Sequence, residues 1–143
     1  MFGAVRDSEI TDLTVSPGHV ITAGETAGIL AGSVQDSVIR NVAVAGALKT
    51  AGNTGGIAGE IAGTVVENCT ADHVAMDLGK GKETFAGGIT GKAAGSVISD
   101  CTVNTGDSLN ARIQGGGYVG GITGFQNDTD IFNAHVMGTI GGS

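Results

Sequence analysis

The sequence predicts an all-β chain: a right-handed parallel β-helix (a β-solenoid) of about five coils. Three observations carry that expectation. Glycine makes up 27 of the 143 residues and proline only one, while the apolar residues are mostly Val, Ile and Ala. That is a composition of short strands and tight turns. A six-residue pattern recurs five times along the chain, and a glycine-rich pattern runs in step with it.

The six-residue pattern is Ile or Val, any residue, Asn or Asp, a small apolar residue, any residue, then Val or Ala. Its copies are "ITDLTV" (10–15), "IRNVAV" (39–44), "VENCTA" (66–71), "ISDCTV" (98–103) and "IFNAHV" (131–136), starting 27 to 33 residues apart. The second pattern precedes four of them: "GILAG" (28–32), "GGIAG" (55–59), "GGITG" (87–91) and "GGITG" (120–124); "FGAV" stands in that place in the first copy. A period near 30 residues, with its length variation in one place, is what a solenoid produces. A helical repeat would lose about 1 kcal/mol for each glycine in a helix interior, and no 3.6-residue apolar spacing is present. Residues 1–143 therefore read as one β-solenoid domain, each coil stacked about 4.8 Å from the last.

The Asn or Asp in each copy marks a bend. The Ile or Val before it and the apolar residue after it lie three places apart, yet both should point inward. Strict strand alternation would put them on opposite faces. A left-handed backbone residue resolves the conflict, and Asn and Asp tolerate that conformation best among non-glycine residues. Asp12, Asn41, Asn68, Asp100 and Asn133 should stack as a structural turn ladder. Asn side chains can hydrogen-bond along such a column, whereas a carboxylate only accepts. The same register places Glu60 opposite Lys92 and Arg40 opposite Glu67.

A net charge of −7 excludes phosphate-backbone recognition, so no nucleic-acid partner is expected. It also opposes docking on an anionic membrane. No run of about 18 apolar residues provides a span, so no membrane insertion is expected. Cys69 and Cys101 occupy equivalent places on adjacent coils, within disulfide reach. Their side chains should point inward in parallel, which favours buried thiols, with a disulfide as the alternative. No ligand set for a metal or cofactor is visible: His19, His73 and His135 fall at different places in their coils, and "QNDTD" (126–130) lacks the glycine and distal glutamate of a calcium loop. No catalytic residue is assigned. Glu60, Glu67, Asp72 and Asp77 offer carboxylates, but no spacing selects them. Phe85 and Tyr118 fall one coil apart in the variable part of the repeat, near "GKGKET" (79–84) and "RIQGGGY" (112–118). They are candidate ligand contacts that would stack a sugar, or else they cap the core edge.

The glycine-rich copies "GGIAG", "GGITG" and "GGITG", followed by "GTVVENCTA" and "GSVISDCTV", resemble the GLUG-motif repeat family, with Ile for its Leu. The resemblance covers nearly the whole chain. It implies a bacterial surface or secreted protein, similar to the β-helical region of immunoglobulin-A protease-type zinc metallopeptidases and to adhesin-like proteins. The zinc-binding His-Glu-x-x-His of those peptidases is absent, so no peptidase site carries over. The expectation is a non-catalytic repeat module, extracellular or at the cell surface, acting as a spacer or an adhesion and recognition segment. The alternative is the β-helical accessory region of a secreted peptidase, or a carbohydrate-active β-helix enzyme. A host or cell-surface glycan or protein would be the partner. The chain opens inside a repeat and closes just after the fifth copy, which reads as a fragment of a larger solenoid. Such a piece is expected to self-associate end to end by extending its sheets. Sedimentation over a wide concentration range checks this: weight-average mass should rise with concentration, and a strictly monomeric chain would contradict it.

Overall fold

The computed structural model describes residues 2–16, 20–78, 83–105, 112–115 and 117–142. Among them every regular element is a β-strand, and neighbouring strands pair in parallel, coil upon coil, into a β-solenoid. A first sheet stacks Phe2–Arg6, Ala31–Gln35, Ala58–Ala62, Thr90–Ala94 and Thr123–Asn127 in chain order. A second, larger sheet carries the six-residue pattern, bent at its Asn or Asp. Val65–Glu67 and Thr70–Asp77 flank that bend in one coil, while Val38–Thr50 runs through it in the coil before. A third sheet stacks Ala27–Gly28, Thr54–Gly55, Phe85–Gly87 and Tyr118–Gly120.

The solenoid makes about four turns, which corrects the expectation of five coils. Five copies of the pattern delimit four full turns, and the third sheet has four strands. Phe2 and Gly3 of "FGAV" fall level with Ala31 and Gly32, the last two residues of "GILAG", so this copy carries only the tail of the glycine motif, in the first sheet.

The core is built of columns. Ile39, Val66 and Ile98 stack in register and are fully buried, with Ile10 and Ile131 partly buried at the outer levels. Beyond the bend come Val42, Cys69 and Cys101, and from the third sheet's corner Leu30, Ile57 and Ile89, all buried. Each such Val or Ile contributes about 1.5–3 kcal/mol through burial. That contribution needs a coil on both sides, so Val136 is exposed at the last level of a column in which Ala71 and Val103 are fully buried.

The bend has the backbone expected of it. Asp12, Asn41, Asn68, Asp100 and Asn133 all lie at φ between 51° and 54°. A second left-handed corner lies five residues earlier in every coil, at Asp7, Asp36, Gly63, Gly95 and Asp128. The hydroxyl residue after each one turns back into its own chain: Ser37 Oγ donates to the Gln35 carbonyl (2.7 Å), Thr64 Oγ1 to Ala62 (2.8 Å) and Ser96 Oγ to Ala94 (2.8 Å). The backbone N–H of the preceding level then donates to that hydroxyl, as Ser8 does to Ser37 and Thr64 to Ser96, both at 3.1 Å. These hydroxyls are buried, and the hydrogen bonds satisfy polar groups that would otherwise cost about 1–3 kcal/mol each. Within the pairing of Val38–Thr50 with Thr70–Asp77 the register shifts between Ala71 and Val74, where the extra residue His73 takes a left-handed conformation. Elsewhere Lys92 lies opposite Glu60 and Arg40 opposite Glu67.

Candidate functional site

The polar residues that recur in every coil bond to their counterparts in the next. Asn41 Nδ2 donates to Asp12 Oδ1 (2.9 Å), Asn68 Nδ2 to Asn41 Oδ1 (2.6 Å) and Asn133 Nδ2 to Asp100 Oδ1 (3.1 Å). Each amide donates toward the coil before it, and Asn41 also accepts from the coil after it. Among the described residues no side-chain hydrogen bond joins Asn68 to Asp100. Asp100 brings no N–H to that step, so the Asn68 carbonyl meets a carboxylate, acceptor against acceptor.

Cys69 and Cys101 are fully buried free thiols. Each points into the stack and bonds to the carbonyl two residues back, Cys69 Sγ to Glu67 (3.2 Å) and Cys101 Sγ to Ser99 (3.1 Å). The hydrogen bond between the two thiols, and then burial, push the Cys101 thiol well above the usual thiol range. Both sulfurs are fully buried, so the pair fills the core and no substrate reaches it.

The carboxylates named from sequence are held by neighbours. Glu67 pairs with Arg40 at 2.9 Å. Asp72 accepts from Asn104 (3.0 Å) and contacts the His73 ring (2.8 Å). Glu60 accepts from Asn53 Nδ2. Asp77 ends its strand, exposed. His135 is exposed, and His19 lies outside the described residues, as do positions 79–82 of "GKGKET" and 116 of "RIQGGGY". Asp128 and Thr129 of "QNDTD" form the left-handed corner and its hydroxyl step. Among the described residues no three His, Cys, Asp or Glu side chains converge on one point.

The glycine corner between the third and first sheets gathers side chains that do not repeat. A Cβ on Gly91 would sit 2.5 Å from the Phe85 carbonyl oxygen, and one on Gly59 would sit 2.7 Å from that of Asn53. Only glycine lets the strand leaving the corner press on the strand entering it. Two columns are thereby brought side by side: Thr26, Asn53, Phe85 and Tyr118 on one strand, and Ser33, Glu60, Lys92 and Phe125 on the other. Phe85 stacks on Tyr118, with ring centroids 5.3 Å apart and 23° between planes. Phe85 also meets Phe125 at 5.1 Å and 44°. Tyr118 is 61% exposed and Phe125 is 42% exposed, so the cluster is a surface platform rather than a cap on the core. The Phe85 N–H donates to Asn53 Oδ1 (3.2 Å), which ties the platform to the polar level beside it. The sequence register puts Phe125 in the column of Ser33, Glu60 and Lys92, but not beside Phe85, because the two belong to different strands of the corner. The signal that finds it is its place one residue after the closing glycine.

Two depressions flank this corner. One, of about 570 Å³, is lined by Glu25, Thr26, Gly52, Asn53, Glu83 and Thr84. The other, of about 250 Å³, lies on the outer face of the first sheet between Ser33, Gln35, Glu60, Ala62, Lys92 and Ala94. Compared with protein-family models, with curated proteins and with solved structures, the chain matches none.

Proposed function

We propose that the chain is a non-catalytic repeat module of a bacterial cell-surface or secreted protein, a GLUG-type β-helix that serves as spacer and recognition segment. One observation carries this reading: most of the Asn and Asp column is spent on coil-to-coil hydrogen bonds, while Phe85, Tyr118 and Phe125, which do not repeat, meet as an exposed aromatic cluster at one corner. Repetition builds the rod and variation decorates it, the division of labour of solenoids that bind through one face. The right-handed sense of the winding is part of the proposal, supported by the right-handedness of about 98% of parallel strand crossovers. The resemblance of "GGITG" and "GTVVENCTA" to GLUG repeats supports the location.

The purified chain is expected to show no turnover of peptide or glycan substrates, because Glu60, Glu67 and Asp72 are tied to neighbours and both thiols are fully buried. Incubation with casein and with mixed polysaccharides, followed by mass spectrometry of the products, checks this. Turnover that survives rigorous purification would overturn the non-catalytic reading and favour the carbohydrate-active or peptidase-associated alternative.

A further inference from the structure

We infer that the glycine corner and the outer face of the first sheet form one track for an uncharged, β-1,4-linked glycan lying along the solenoid axis. This rests on the recognition reading above and names the ligand class.

Five features of the track and its surroundings converge on that ligand. The Phe85, Tyr118 and Phe125 rings give an exposed platform two coils deep. Aromatic faces of this kind take the C–H face of a pyranose by dispersion and apolar burial. Next along the axis come Lys92 and then Glu60, directly opposite each other in the strand register, followed by Ser33. An ammonium, a carboxylate and a hydroxyl at successive strand spacings provide donors and acceptors for sugar hydroxyls. The 250 Å³ depression beside them has Ala62 and Ala94 in its lining, and side chains that small leave room for a ring to lie flat. Parallel stacking makes the track straight, with polar groups every 4.7–4.9 Å or so. A β-1,4-linked chain is the extended glycan whose sugar-to-sugar step is of that order. Charge excludes polyanionic chains: Glu25 and Glu83 line the neighbouring depression, Glu60 lies in the track, and the whole chain carries −7. An uncharged polyhydroxyl ligand donates to these carboxylates without repulsion.

The test is isothermal titration of the full chain with cellohexaose and with chitohexaose. Heparin hexasaccharide serves as the anionic comparison. Binding of at least one neutral hexasaccharide is expected, and none of heparin. Tyr118→Ala and Phe85→Ala should each weaken it at least tenfold, and Lys92→Ala about threefold. Phe132→Ala, an exposed aromatic on the second sheet, should leave it within twofold. Far-ultraviolet circular dichroism of each variant establishes that the fold persists. Absence of heat with both neutral sugars up to millimolar concentration would overturn the inference, as would binding indifferent to Tyr118 and Phe85. Either failure leaves the recognition reading standing with a protein partner, whereas turnover of the sugar would sink that reading itself.

Discussion

Replacing Gly87 with alanine is expected to destabilise the chain by about 3 kcal/mol or more, the upper end of what overpacking costs. An added Cβ would lie 2.1 Å from the Thr90 carbonyl oxygen, and 2.6 Å from both the Ile122 carbonyl oxygen and the Thr123 Cα. All three atoms are backbone, two of them in the next coil, so no rotamer change relieves the contact. The corner must open, and the coil above must lift away from Ile89 and Ile57 in the core. Gly28, Gly55 and Gly120 occupy the same place in their coils, and an added Cβ on each would fall within 2.4 Å of a backbone atom. Gly24→Ala is the comparison: nothing lies within 4 Å of its added Cβ, so its effect should stay within about 0.5 kcal/mol. Urea unfolding followed by circular dichroism measures both. Equal midpoints for the two variants would contradict the close approach of the coils at this corner.

Asp100→Asn is expected to stabilise the chain by about 0.5–1 kcal/mol, the lower half of the range for a net hydrogen bond because the site is exposed. Asn keeps the left-handed backbone that Asp100 adopts at φ 52°. It still accepts from Asn133, and it adds the missing donor toward the Asn68 carbonyl. Asn41→Asp is the mirror experiment. It removes the donor to Asp12 and sets two carboxylates on adjacent levels, so a loss of about 1 kcal/mol is expected. Thermal unfolding at neutral pH gives both signs. The same sign for both substitutions would show that the column does not work as a directional chain of amides.

The register was legible in the sequence because two independent patterns keep step. Five Asn or Asp residues share an offset from an inward Ile or Val, and four glycine motifs share an offset from the Asn. The pairing of Arg40 with Glu67 follows from that alignment alone. The second left-handed corner was harder to see, because its column mixes Asp7, Asp36 and Asp128 with Gly63 and Gly95. The backbone there requires a positive φ, which either residue type tolerates, so no single letter repeats. Its best trace is the Ser or Thr that follows in every coil. Five copies of the six-residue pattern suggest five coils, but "FGAV" aligns only with the tail of the glycine motif, and among the described residues the third sheet has four strands. The candidate site was half legible. Phe85 and Tyr118 share a strand register that alignment reveals. Phe125, Lys92 and Glu60 join them only because the glycine corner folds one strand onto another, a contact between positions that periodicity alone does not relate. The Asn53–Glu60 bond and the slip at His73 arise from single residues in single coils, which a repeat pattern does not encode.

The most direct test of the recognition track is a ¹H–¹⁵N titration of the full chain with the neutral hexasaccharide that binds, read residue by residue. Shift changes should concentrate at Phe85, Lys92, Tyr118 and Phe125, extend along the first sheet to Glu60 and Ser33, and leave the Asn41–Asn68 ladder unmoved, with the sugar recovered intact. Changes centred on the second sheet, or spread evenly over the coils, would contradict a ligand track at the glycine corner.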